Sequence, residues 1–503
     1  MLTKKHLDSL AIVTFAIIAK MADIYRVVLT ALLFYRCTAS YISDTYYPRY
    51  HLAPCKGWMN DPNGFSRTDD GVYHLSYQYN PETCHQAGIA HWGHATSRDL
   101  FTWQHLPIAL YPNNSYDSSG VFSGSALVED GKMYLFYTGN VNHPNEEPDH
   151  EQHQALAVSS DGITFTKYSG NPILIGEEHQ PNIRDPKVWK HGDTYYMVLG
   201  NSFNNKTLGR ILLYASDDKI TWKQVSVLGE SKGFMGYMWE CPDFFELNGY
   251  YVLLFSPQGM KPEGDKYRNL YQVGYIIGTF DYQSYSFKPI TEFRELDSGH
   301  DFYATQTMSD AKRRIVVAWF DMWEQVYPER DTGLTGCMTM PRELALGPNF
   351  VLHQRPVKEV SVAIGRKLVS GRGYPGQVVR LEDKTAQIII RAPRVHDFKL
   401  YIESDSQSVE LSYNFMRSTV TLNRGGDDAI RRTKWRPERE LRWRIFIDAS
   451  SVELFCGDGE VTFSSRFFPT GPVKVRLGNN VIVNDFTVHT MKRTAPKPGA
   501  CYE

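Results

Sequence analysis

Between residues 71 and 255 one short pattern, a glycine followed by an aromatic-rich apolar run, occurs four times. It reads Gly71-Val72-Tyr73-His74-Leu75-Ser76-Tyr77, then Gly131-Lys132-Met133-Tyr134-Leu135-Phe136-Tyr137, Gly192-Asp193-Thr194-Tyr195-Tyr196-Met197-Val198 and Gly249-Tyr250-Tyr251-Val252-Leu253-Leu254-Phe255, at intervals of 60, 61 and 57 residues. A fifth run, Arg314-Ile315-Val316-Val317-Ala318-Trp319, follows about one interval later. A second pattern keeps step. Ser97-Arg98-Asp99-Leu100-Phe101-Thr102-Trp103, Ser160-Asp161-Gly162-Ile163-Thr164-Phe165 and Ser216-Asp217-Asp218-Lys219-Ile220-Thr221-Trp222 each join a serine and an acidic turn to a threonine-aromatic ending. Strand and turn elements repeating in register at this period predict a β-propeller, one four-stranded sheet per blade, and five runs imply five blades. No long helical period competes over this region.

Beyond Met340-Pro341-Arg342-Glu343-Leu344 the pattern changes, with Leu352-His353-Gln354-Arg355-Pro356 read as a connector. The strands shorten and alternate, as in Phe398–Ile402 and Ser418–Leu422, and Arg444–Asp448 with Ser451–Phe455 form an expected hairpin. This is the signature of an antiparallel β-sandwich. The expected fold is therefore all-β, a five-bladed propeller over residues 41–348 followed by a C-terminal sandwich over 349–503. A length of 503 residues, too long for one core, fits two domains. The remaining residues, 1–40, hold two apolar runs, Leu10–Ile18 and Val27–Phe34. Neither reaches the roughly 18–20 residues of a spanning helix. From Met21 the chain reads as a signal peptide with a small-residue exit, residues 1–20 being an extension, and so predicts a secreted, extracellular protein with no membrane partner once the signal is removed. The sequons at Asn113 and Asn205 agree with that expectation. A net charge of −2 gives no reason to expect nucleic acid. The seven cysteines lack zinc-like spacing.

A propeller gathers the first strands of its blades around one axis, so acids far apart in sequence can meet at one funnel. Three stand near blade starts beside proline or an aromatic: Asp61 in Trp58-Met59-Asn60-Asp61-Pro62-Asn63-Gly64, Asp185 in Arg184-Asp185-Pro186, and Glu240 in Trp239-Glu240-Cys241-Pro242-Asp243. Carboxylates flanked by amides and a flat aromatic wall suit a sugar ring. The first stretch by itself reads as a turn, because Asn, Asp, Pro and Gly are turn formers. His91, His94, His74 and His85 lack an accompanying carboxylate or thiolate set, so no metal is expected. No cofactor is expected either.

With Gln78-Tyr79-Asn80-Pro81, His91–Ser97, Phe122–Ala126 and Asp301–Thr307 in the same order, the chain from about residue 50 onward resembles glycoside hydrolase family 32, the invertase and fructanase family. That resemblance implies a propeller followed by a sandwich, and a retaining β-fructofuranosidase acting on sucrose or a related fructoside. Within the family's reach also lie exo-fructanases and fructosyltransferases; a non-catalytic fructoside-binding protein is a further alternative. It implies Asp61 as nucleophile, Glu240 as acid/base and Asp185 as transition-state stabiliser. It places Asn60, Gln78, Phe122, Ser123 and Arg184 on the sugar, with Trp58, Met59, Tyr303 and Trp319 as further lining. Three expectations about the site follow. Asn60 and Asn63 hold Asp61 ionised, and Arg184 keeps Asp185 charged. Both Arg184 and Asp185 face the sugar only across a bulge. Many bacterial members carry a Trp between the second and third of these motifs. Residues 82–90 here have no aromatic, which implies either an unusual leaving-group side or a rim reshaped by Cys55 and Cys84.

Overall fold

The computed structural model describes residues 43–176 and 182–498; the signal-peptide reading lies outside them. Strands dominate. Five sheets follow one another along the chain, and each begins with a strand at the propeller axis: Gly57–Arg67, Gly120–Glu129, Ile183–His191, Met238–Leu247 and Tyr303–Asp310. Each of these inner strands packs on the next, and the fifth packs on the first, so the five blades, I to V, close a ring. The short strand Leu334–Thr335 adds in parallel to the start of blade I and ties the late chain to the early one. The aromatic repeats are the second strands of the blades, and their apolar side chains fill the spaces between sheets.

The serine–acid–threonine repeat is a turn closed by its own aspartate. Asp99 Oδ1 accepts from the backbone N–H of Phe101 and Thr102, Asp161 Oδ1 from Ile163 and Thr164, and Asp218 Oδ1 from Ile220 and Thr221, all within 2.6–2.9 Å. Ser97, Ser159 and Ser216 each donate to the same aspartate, so in blade II the serine is 159 and not 160. These bonds hold Asp218 down to about 2, below the usual carboxylate range.

Two readings change. The stretch from Trp58 to Gly64 is no turn but lies within a strand, whose pairing slips between Met59 and Pro62 so that Asn60 and Asp61 face one residue of the neighbour. The slip gives the turn-forming residues the irregular backbone they favour without ending the strand. Leu352–Pro356 is no connector but the outer strand of blade V, which extends the propeller past residue 348.

Beyond it two six-stranded antiparallel sheets enclose one apolar core, and Leu441–Asp448 with Ser451–Cys456 form the expected hairpin. The sandwich docks on the propeller through buried charge. Arg342 of blade V pairs with Glu453 and, at 3.0 Å, with Asp297. His51 bridges Asp448 and Glu453 at 2.7 Å each. Burial opposes the charge on His51, but the two carboxylates outweigh it and raise its pKa to about 9.

Candidate active site

Around the axis, side chains stitch each inner strand to the backbone of the next. Asn63 accepts from Gly124 N–H (3.0 Å), Ser125 donates to Pro186 C=O (2.8 Å), Asp185 accepts from Cys241 N–H (2.9 Å), Asp243 from Thr307 N–H (2.9 Å) and Gln306 from Phe65 N–H (3.1 Å). Every one of the five inner strands also carries a pairing irregularity at the same level: Met59/Pro62, Phe122/Gly124, opposite Val198/Gly200, Glu240/Asp243 and Tyr303/Gln306. A bulge breaks the alternation of sides. Arg184 and Asp185 therefore both face one pocket, as the sequence required, with Asp185 in the left-handed region at φ 67°. Gly124 fits because a Cβ there would lie 1.9 Å from the carbonyl oxygen of Phe136.

The pocket at this end of the axis has a volume of about 390 Å³ and is lined by Asp61, Asp185 and Glu240 together. Two of the acids converge on Cys241, whose Sγ lies 3.5 Å from Asp61 Oδ2 and 3.7 Å from Asp185 Oδ2, and Glu240 precedes that cysteine in the chain. Asp61 accepts from Ser123 Oγ (2.7 Å) and Asn60 Nδ2 (3.1 Å), and Asn60 Oδ1 accepts from Trp58 Nε1 (3.0 Å). Glu240 accepts from Arg184 Nη2 (2.7 Å) and Nε (3.0 Å), Gln258 Nε2 (2.8 Å) and Tyr303 Oη (2.5 Å).

The electrostatics differ from the expectation. Burial, with the neighbouring charge of Glu240, raises the Asp61 pKa despite its donors. Asn63 is not among those donors; it is spent on the backbone of blade II. Burial also pushes Asp185 up to about 7, against the nearby Arg184 charge and with the help of Glu240 and Asp61. The guanidinium of Arg184 bonds Glu240 rather than Asp185. Burial pushes the Cys241 thiol well above its ordinary value, so it is an inert group.

Asn60, Gln78, Phe122, Ser123 and Arg184 line the pocket. Trp58, Met59, Tyr303 and Trp319 do not; each is at most 4% exposed. Trp58 lies behind Trp323, ring centroids 6.1 Å apart at 22°, and Trp319 meets the same ring edge-on. Trp323 is the tryptophan that reaches the pocket, beside Ala87 and Gly88 of the aromatic-free segment. Cys55 is disulfide-bonded, and the Cys84 thiol donates to the Arg330 carbonyl (3.4 Å), so the two are not joined to each other at the rim. Trp323, Gln258 and an amide-rich wall of blades II and III escaped sequence reading. The one signal was Trp323 four residues after Trp319, which ends the strand Arg313–Trp319. His74 and His94 stack in the interior of blade I, 5.3 Å apart. Among the described residues no three His, Cys, Asp or Glu side chains are placed to hold a metal.

A propeller whose axial pocket holds three convergent carboxylates beside an aromatic face is built as a glycoside hydrolase. Residues 51–356 match the glycosyl hydrolases family 32 N-terminal domain and residues 366–490 the family 32 C-terminal domain; the chain belongs to glycoside hydrolase family 32. It is 41% identical to a sucrose-6-phosphate hydrolase of Escherichia coli, over 85% of this chain and 90% of that one. It is 38% identical to a sucrose-6-phosphate hydrolase of Zymomonas mobilis, covering 85% and 88%. The solved structure of a Bombyx mori GH32 beta-fructofuranosidase shares 40% identity with a TM-score of 0.85, over 90% of this chain and 96% of that one. These findings correct the expectation of secretion. The bacterial relatives are named for hydrolysis of sucrose 6-phosphate, and the run read as a signal lies outside the described residues.

Proposed function

We propose that this chain is a β-fructofuranosidase that releases fructose from sucrose by a retaining double displacement, with Asp61, Glu240 and Asp185 as its working carboxylates. Asp61 attacks the anomeric carbon of the fructosyl unit. As that bond forms, the glycosidic C–O bond breaks and Glu240 gives its proton to the departing oxygen. Glu240 then takes a proton from water, which attacks the same carbon and frees Asp61. Retaining enzymes need two carboxyls about 5–5.5 Å apart, one on each side of the bond that breaks. Tyr303, Gln258 and Arg184 fix the Glu240 carboxylate from three directions. Ser123 and Asn60 fix Asp61. Asp185, held by the Cys241 N–H, takes fructose hydroxyls and the charge that develops on the ring.

The observation that carries this reading is the meeting of all three acids in one pocket around Cys241. The test is hydrolysis of sucrose, raffinose, inulin and levan by the purified protein, with Asp61→Ala and Glu240→Ala alongside. Best cleavage of sucrose, with both variants reduced by several orders of magnitude, is the expected outcome. Preference for the polymers would make the enzyme an exo-fructanase, and variants as active as the parent would overturn the assigned roles.

A further inference from the structure

We infer that the leaving-group side of the pocket is built for an uncharged sugar and discriminates against one that carries a phosphate; this rests on the reading of the pocket given above. The wall that blades II and III present beside Glu240 is made of carboxamides. Arg184 Nη1 donates to Gln152 (3.3 Å) and Asn182 (3.4 Å), Gln152 donates to Asn140 (3.3 Å), and Asn140 to Asn142 (2.8 Å). This chain of amides runs from the acid outward to an exposed residue at the rim. Amides offer both donors and acceptors, which suits hydroxyls. A phosphate dianion asks instead for arginine or lysine.

Among the described lining residues the one permanent cation is Arg184, and its guanidinium is taken up by Glu240 at 2.7 Å. His150, the other basic group there, is held by Asp149 at 2.8 Å and Asn182 at 3.1 Å, and Asp149 also takes Lys206 at 3.1 Å. Against this stand three carboxylates in the same pocket. A dianion entering beside them meets like charge without a free partner, and such juxtaposition costs affinity and on-rate. The bacterial relatives named for sucrose 6-phosphate therefore differ from this chain in what the leaving-group side accepts.

The test compares kcat/KM for sucrose and for sucrose phosphorylated on the glucose 6-hydroxyl, at low and at high ionic strength. Sucrose is expected to be favoured by about tenfold or more at low salt, with the gap narrowing as salt screens the carboxylates. Asn142→Lys, which puts a cation at the rim, is expected to shift the ratio toward the phosphate ester by at least several-fold. Equal or better cleavage of the phosphate ester, or a ratio that neither salt nor Asn142→Lys moves, would overturn the inference and leave the β-fructofuranosidase reading intact. Release of fructose from neither sugar would overturn both.

Discussion

Ser123→Ala isolates what the hydroxyl does for the nucleophile. Its Oγ donates to Asp61 Oδ2 at 2.7 Å, the shortest of the bonds on that carboxylate; Asn60 at 3.1 Å and Cys241 at 3.5 Å remain. A hydrogen bond to a charged group is worth about 1.5–3 kcal/mol. The pocket is open to water, which replaces part of the lost bond, so the lower end applies, and about 1.4 kcal/mol corresponds to one pH unit. The sign follows from the carboxylate. Burial and Glu240 already raise its pKa, Ser123 opposes them, and removing Ser123 raises it further. The nucleophile works ionised, so the acid limb of kcat/KM should move up by about one pH unit, with a loss of about tenfold below the limb. On the plateau the loss should be small, because attack consumes the charge that Ser123 stabilises. The assay is initial-rate hydrolysis of sucrose across pH for parent and variant. An unmoved limb with a uniform loss at every pH would refute the reasoning and leave Ser123 as a sugar contact alone.

Other outcomes follow from the same structure. Trp323→Ala should raise KM and lower kcat/KM by about tenfold, with a melting temperature lowered less than a fully buried Trp→Ala would lower it, since the half-buried ring has one side on the pocket and the other on Trp58 and Trp319. His51→Leu should destabilise the junction of propeller and sandwich by about 3–5 kcal/mol, read by denaturant titration, because it leaves Asp448 and Glu453 buried without their shared partner. His74, His94 and His105 are pushed by burial to about 4, 3 and 4. The unfolded chain binds their protons first, so their contribution to stability should be full above pH 6.5 and be lost steadily toward pH 4; His94→Asn should make that loss shallower.

The sequence made the blade count and the three acids legible because both rest on local signals: a glycine-led strand every sixty residues, and an acid beside proline or an aromatic at a strand start. The bulge at Arg184-Asp185 was legible for the same reason, since two adjacent polar residues serve one site only if the alternation breaks. What stayed hidden depends on the closing of the ring. Asn63 reads as a donor to Asp61 in its motif, yet it binds the Gly124 N–H 61 residues away. Arg184 reads as the partner of adjacent Asp185, yet it bonds Glu240, 56 residues on, because the bulge turns the guanidinium toward blade IV. Trp58 sits two residues from Asn60 and reads as the aromatic wall, but it lies behind Trp323, which arrives from blade V. In each pair the motif supplies a side chain of the right kind and the neighbouring blade decides which group it serves. A propeller site is thus written twice, once in motifs that name the chemistry and once in inter-blade contacts that set its charge. Burial where the blades meet, with Glu240 and Asp61 close by, is why Asp185 stands near 7 although an arginine is next to it in the chain.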